Sequence, residues 1–344
     1  MQPTSTTQFA TAAGEGVPEL EQVRDGLFCY GLPQPGTLPH YALSYLLLDF
    51  TGSVHVIDAG WDSDENWHRC TEALGLLGHT VTDIASITVT HLHPDHLGMA
   101  ARLRAASGAP VAIHEAEQLG IRELGTPAPE SEVRAHIESW GVPADRQAEI
   151  QEAFRRRSGW KQFTADRLLV DGENLDIPGH AVRVLHTPGH TSGHIALVDD
   201  LHGVVYLGDH LLPNQFPGIG LGGTPEGNPI DHYLSSLAAV AEFDAFEALP
   251  GHGYRFRGIA KRCAETAAHH EKRTAEIAGA LSARSTTGPP AGSPAALSTS
   301  SPVRSVWALA SELTWTAGWE NLGGLALRSA LSQTSLHMDR AQRL

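Results

Sequence analysis

Cysteine is scarce in this chain of 344 residues: Cys29, Cys70 and Cys263 are odd in number and far apart. No disulfide framework is implied, and a reducing cytoplasm is the simplest compartment. Long apolar runs are missing as well. Nothing approaches the ~18 apolar residues of a membrane-spanning helix, so no membrane role is expected. The stretch from Met1 to Gly16 has neither a basic region nor an apolar segment. It carries no Sec-type signal, and residues 1–18 read as a disordered lead-in. Basic residues are outnumbered, 24 against 39 acidic ones, giving a formal charge of −15. Such a balance argues against a protein that lives on nucleic acid or an anionic membrane. There is no Gly-x-Ser-x-Gly elbow, no Gly-rich dinucleotide or Walker signature, and no internal repeat. What remains, with 41% hydrophobic and 18% charged residues, is a globular composition with room for one large domain and an appendage.

Histidine, by contrast, is plentiful, with 20 in the chain. The stretch Thr90-His91-Leu92-His93-Pro94-Asp95-His96 concentrates three imidazoles and a carboxylate. These are poor core fillers, and crowded imidazoles repel one another when protonated unless something accepts their lone pairs. A divalent ion does so, and this donor set suits zinc, iron or manganese, with no thiolate nearby. Ala85–Thr90 reads as a buried strand and Leu97–Ala100 as the start of a helix. The ligands then sit at the carboxyl end of a strand, where α/β proteins place their chemistry.

Along the chain, Leu43–Leu48 and Ser53–Asp58 read as a hairpin turning through Asp49–Gly52, followed by a helix from Asn66 to Leu77. The helix begun at Leu97 is closed by Gly108, and Pro110–Ile113 is one more strand. Between 115 and 166 charged helical patterns dominate, broken by Pro127, Pro129, Gly141 and Pro143, which reads as a helical insertion. Arg155-Arg156-Arg157 within it suits a solvated helix face better than an anion clamp. Strands resume over Arg167–Val170, Glu173–Ile177, Ala181–Leu185, Ile195–Val198 and Gly203–Gly208. A Gly- and Pro-rich loop, 213–229, precedes a helix over Asp231–Glu242, and another helix covers Ala260–Leu281. Residues 284–302 read as a flexible linker, and 303–344, with Trp307, Trp315 and Trp319, as a small helical C-terminal unit. Packing of that unit on the main domain, over the pocket mouth, or on a second subunit of a homo-oligomer all stay open.

Three further strand-like runs end in a metal-ligand type preceded by Gly: His190, Asp209 and His252. Small residues there let the backbone approach an ion closely. Together with Asp58 at a strand end, the His91–His96 loop and the Thr-Pro-Gly-His context of His190, this pattern resembles the metallo-β-lactamase superfamily over roughly residues 25–260. The resemblance implies an α/β fold, a four-layer αββα sandwich over 19–283, with two metals at one edge. It implies that His91, His93 and His190 hold one ion, that Asp95, His96 and His252 hold the other, and that Asp209 bridges them. Asp58 would orient the ligand loop by hydrogen bonds. Aspartate rather than cysteine at position 209 resembles the glyoxalase II, lactonase and phosphodiesterase branches more than the drug-hydrolysing lactamases. His194 and His210 are either supports, substrate-facing groups or ordinary packing. His114, His180 and His186 read as structural or surface residues, and Tyr254 as packing rather than as a group reaching a substrate oxygen.

Two such ions, most simply zinc, share a water whose pKa falls toward about 7. The resulting hydroxide attacks a carbonyl carbon, with Asp95 or Asp209 passing the proton. The leading expectation is hydrolysis of a thioester, ester or lactone of a small acyl substrate. A phosphodiesterase acting on RNA or a nucleotide is the runner-up, disfavoured by the acidity and by the short span between Asp209 and His252. An iron-dependent redox enzyme of the same fold carries less weight, because diiron relatives often replace one loop histidine and His93 is intact.

Overall fold

Branched and aromatic residues in short runs build two sheets in the structure, a computed structural model. It describes residues 1–344 except 15, 37–38, 127, 158–161, 283–303 and 316, and the side chains of 156 and 157. The expected linker at 284–302 lies outside the described residues. In chain order the strands are β1 (Gln2–Pro3), β2 (Glu21–Arg24), β3 (Leu27–Pro33), β4 (Tyr41–Leu48), β5 (Val54–Ile57), β6 (Ile84–Thr88), β7 (Val111–His114), β8 (Arg167–Leu169), β9 (Val182–His186), β10 (Ile195–Asp199), β11 (Val204–Gly208), β12 (Glu247–Pro250) and β13 (Phe256–Arg257). Seven form one sheet in the order β2-β3-β4-β5-β6-β7-β8, and six form the other in the order β1-β13-β12-β11-β10-β9.

All but the last residue of β4 are buried, because both faces of the strand are covered. Tyr41, Leu43, Tyr45 and Leu47 meet Val184, Ile195, Leu197, Tyr206 and Leu249 of the second sheet in a common core. The Tyr45 and Tyr206 rings meet edge to face at 5.2 Å, and the Tyr45 hydroxyl donates to Pro250 O at 2.7 Å. Each fully buried Leu here contributes about 1.5–3 kcal/mol of transfer free energy. Helices cover the outer faces, which completes the expected αββα layering.

The helices are α1 (Thr6–Ala12), α2 (Asp64–Leu76), α3 (Pro94–Leu97), α4 (Ala100–Ser107), α5 (Glu115–Leu124), α6 (Glu130–Ser139), α7 (Ala144–Arg157), α8 (Pro229–Ala241), α9 (Ile259–Ser282), α10 (Val306–Glu312) and α11 (Gly324–Ala341). Strands β5 to β8 run parallel, as do β11 and β12. Their carboxyl ends therefore deliver Asp58, the His91–His96 loop, Asp209 and the segment before His252 at strand ends.

Several expectations need correction. Residues 1–18 are not a featureless lead-in, since β1 and α1 lie there. Ser5 caps α1, Gln8 is buried, and Thr4 donates to Glu247. That acceptor is too far away in sequence for local pattern to reveal it. Glu173–Ile177 is not a strand; only Asn174 makes a bridge, to Arg183. The 115–166 insertion divides. Its first helix, α5, stays with residues 1–125 and 161–267 in one compact unit, while 126–160 and 268–344 form a second. In that second unit Val133, Ile137, Trp140 and Ile150 share a core with Val306, Ala310, Leu327 and Leu331.

Candidate metal centre

The loop after β6 is held open by a strained neighbour. Asp58 has φ +60°, the only non-glycine with positive φ among the described residues, in the small left-handed region that Asp enters more readily than most. Its carboxylate accepts from the Thr90 N–H (2.8 Å), the Thr90 hydroxyl (2.9 Å) and His96 Nδ1 (2.8 Å). One side chain thus fixes both ends of the histidine loop. Pro94 begins α3, so Asp95 and His96 project from a single helical turn rather than from open loop.

The structure brings the seven expected residues into two adjoining groups: His91, His93, His190 and Asp209, and Asp95, His96 and His252. In the first, His93 Nδ1 lies 2.9 Å from His91 Nε2 and 3.0 Å from His190 Nε2. In the second, His252 Nε2 lies 3.2 Å from Asp95 Oδ2. Asp209 faces both, with Oδ2 3.7 Å from His190 Nε2 and Oδ1 3.2 Å from His252 Nε2 and 3.5 Å from His96 Nε2. A Cβ at Gly251 would fall 2.6 Å from Asp209 Oδ1 and 2.7 Å from His96 Cε1, so only glycine lets that strand end pass so close.

The outward nitrogens decide what the inward ones can do. His252 Nδ1 donates to Tyr41 O (2.6 Å), His190 Nδ1 to Gly218 O (2.7 Å) and His96 Nδ1 to Asp58. The Thr90 hydroxyl spends its proton on Asp58 and accepts from His91 Nδ1 at 3.0 Å. The Nε2 atoms of these histidines are therefore the nitrogens aimed into one volume, able to offer a lone pair to a cation once any proton there is displaced. His96 Nε2 and Asp209 Oδ1 are buried with no hydrogen-bond partner among the described residues. A buried acceptor cluster of this kind is costly unless a cation balances it, so the residues fit two divalent ions.

Electrostatics separate the two halves. Burial and the neighbouring imidazoles hold His91 well below the ordinary histidine value and push His93 down to about 3; burial also lowers His190. Burial would lower His96 too, but Asp95, Asp58 and Asp209 outweigh it and raise it to about 9, and His252 rises likewise against Asp209 and Asp95. Burial would raise Asp95 and Asp209, but His96 and His252 hold both carboxyls low. Protons thus stand in for a cation on the carboxylate-rich side and are expelled from the imidazole-rich side.

Among the less secure histidines, His194 accepts the Asp209 N–H at 3.1 Å and so supports the shared residue from behind. His210 is fully buried against the Tyr233 ring. His186 stacks on His114 at 4.1 Å, and Tyr254 packs edge-on against Phe9. His180 and His202 both donate to Asp199 Oδ2, while Asp199 Oδ1 accepts the Ala181 N–H before β9 and the Leu201 N–H of the β10–β11 turn. Arg155 lies exposed, 3.9 Å from Glu130, as a solvated helix face requires.

Sequence reasoning missed Glu117. It is fully buried and accepts from Leu92 N (2.7 Å) and Gly193 N (2.6 Å), inside the loops that carry His91, His93 and His190. The signal was there: Glu117 shares the spacing of Gly120, Ile121 and Leu124 on the buried face of α5.

Residues 38–252 match the family model described as the metallo-beta-lactamase superfamily. A metallo-beta-lactamase family protein of Thermus thermophilus is 26% identical with a TM-score of 0.72, covering 94% of this chain and 95% of that one. A beta-lactamase domain protein of Burkholderia ambifaria shares the fold at 21% identity and a TM-score of 0.75, over 96% of this chain and 92% of that one. The hydroxyacylglutathione hydrolase of Pseudomonas aeruginosa is 30% identical over 168 residues, 48% of this chain and 46% of that protein. The lactamase-like protein adaB of Aspergillus niger is 22% identical over 269 residues, 77% of this chain and 67% of that protein.

Proposed function

Since the chain belongs to the metallo-beta-lactamase superfamily, we propose that it is a binuclear metal hydrolase cleaving a thioester, ester or lactone of a small acyl compound. The observation that carries the reading is Asp209, one carboxylate with an oxygen toward each half of the ligand set. Bound divalent ions, zinc by preference for this donor set and iron or manganese as alternatives, supply hydroxide near neutral pH and polarise a carbonyl. The chain's own contribution is orientation and proton traffic. Hydrogen bonds to Asp58, Tyr41 O and Gly218 O fix the imidazoles, so no reorganisation is needed at the moment of attack. Asp95 is held ionised and is the more exposed of the two inner carboxylates, at 15% against 11% for Asp209. It is the natural acceptor for the proton of an attacking water, and returns it to the leaving thiolate or alkoxide. The likeness to a protein named hydroxyacylglutathione hydrolase, whose substrate by that name is an acylated thiol, supports a thioester first.

The test is a panel of thioesters, lactones and phosphodiesters against metal-loaded wild type and Asp209→Asn. Thioester or ester turnover should lead, and Asp209→Asn should lose at least about 100-fold as a ligand and its orientation are lost together. RNA or a nucleotide diester cleaved as fast as the best thioester would reverse the order of readings.

A further inference from the structure

A carboxylate inside a protein needs a reason, and Glu117 has no ion-pair partner among the described residues. Its relative exposure is 0%, and α5 presents it on the face that also buries Ile121 and Leu124. Burial pushes its carboxyl up to about 7, although the bonds from Leu92 and Gly193 pull the other way. Those partners are not scattered. Leu92 lies between His91 and His93, while Gly193 follows His190. Glu117 Oε2 takes the Leu92 N–H and Oε1 takes the Gly193 N–H, so a single side chain spans two loops from different sheets. The approach is tight: a Cβ at Gly193 would sit 2.4 Å from Glu117 N.

We propose that Glu117 is a positioning residue that clasps the two loops bearing His91, His93 and His190, and so sets how tightly that half holds a divalent cation. This rests on the metal-centre reading above. Glutamate suits the task because both oxygens accept; an amide keeps one acceptor and turns an NH2 against a backbone N–H. The residue touches neither substrate nor ion and acts through the backbone of the ligand loops.

The experiment is titration of metal-free wild type and Glu117→Gln with Co2+ and with Zn2+, followed by Co2+ absorption and calorimetry. Wild type should show two uptake steps. In Glu117→Gln the step assigned by His190→Ala to the imidazole-rich half should weaken about 10–100-fold and its Co2+ band should change, while the other step stays close to wild type. Equal affinities and spectra in folded Glu117→Gln would overturn the clasp, and so would equal weakening of both steps alongside a lower melting temperature, which marks a purely structural role. Wild type that takes up neither ion would sink the metal-centre reading instead. Should Glu117→Gln fail to fold, amide hydrogen exchange on wild type decides: Leu92 and Gly193 must be protected well beyond exposed loop amides, and rapid exchange at both overturns the proposal.

Discussion

At the scale of the residue, Asp58 makes the sharpest test of how the loop is held. Asn tolerates the same left-handed backbone, so Asp58→Asn leaves φ undisturbed and removes only the charge and one acceptor. The His96 side should then bind metal about 10–100-fold more weakly with unchanged circular dichroism, as measured by chelator competition. Asp58→Ala adds a left-handed penalty of about 1–2 kcal/mol and should also melt earlier. The seven inner side chains were legible because the chemistry accepts only a few residue types, and those types stand out wherever they cluster. Their supports were not. The carbonyls of Tyr41, Gly218 and Leu221 belong to any residue type, and their use depends on chain paths that no local spacing encodes.

Among elements, the N-terminal strand and helix show what long-range pairing conceals. Glu247 on β12 accepts from Arg255, Arg24 and Thr4, and Arg255 also reaches Glu21, so an acidic residue in a core strand anchors segments from the other end of the chain. Both Glu247 and Arg255 are almost fully buried. Removing one partner leaves an uncompensated charge, so Glu247→Ala should cost about 3–5 kcal/mol in urea unfolding. The hairpin β4–β5 and the strand before the histidine loop were readable from apolar runs alone. Glu173–Ile177 mimicked a strand by alternation, yet its pairing with β9 stops at an isolated bridge, Asn174 to Arg183.

In the second unit His270 and His337 stack at 5.8 Å, and burial, then neighbouring charge, pushes each down to about 3. Their folded pKa lies below the unfolded value, so the unfolded chain binds more protons between pH 6.5 and 3. Stability is full above 6.5 and falls as the pH drops, by up to about 1.4 kcal/mol per histidine per pH unit. Unfolding midpoints taken from pH 7 to 4 should therefore decline, and more shallowly in a His270→Gln, His337→Gln double variant.

For the molecule as a whole, no helix among the described residues is long and apolar enough to cross a membrane. The formal charge of −15 opposes phosphate backbones, so RNA binding should be undetectable at physiological salt in a filter or fluorescence assay. The αββα layering followed from the family pattern, whereas the partnership of 126–160 with 268–344 could not, since its core joins segments more than a hundred residues apart.

The inner ring of side chains is stitched from both sheets: the histidine loop leaves one, and His190, Asp209 and His252 leave the other. An ion can find its full set of donors only after the two halves have closed face to face. A bound ion would act as a rivet set after assembly, not a seed around which the chain gathers. Metal release and loss of tertiary structure should then fall together in one denaturant transition, shifted upward by about 4 kcal/mol at a thousandfold excess over Kd. During synthesis, a chain still short of His252 would lack one donor of the carboxylate-rich half.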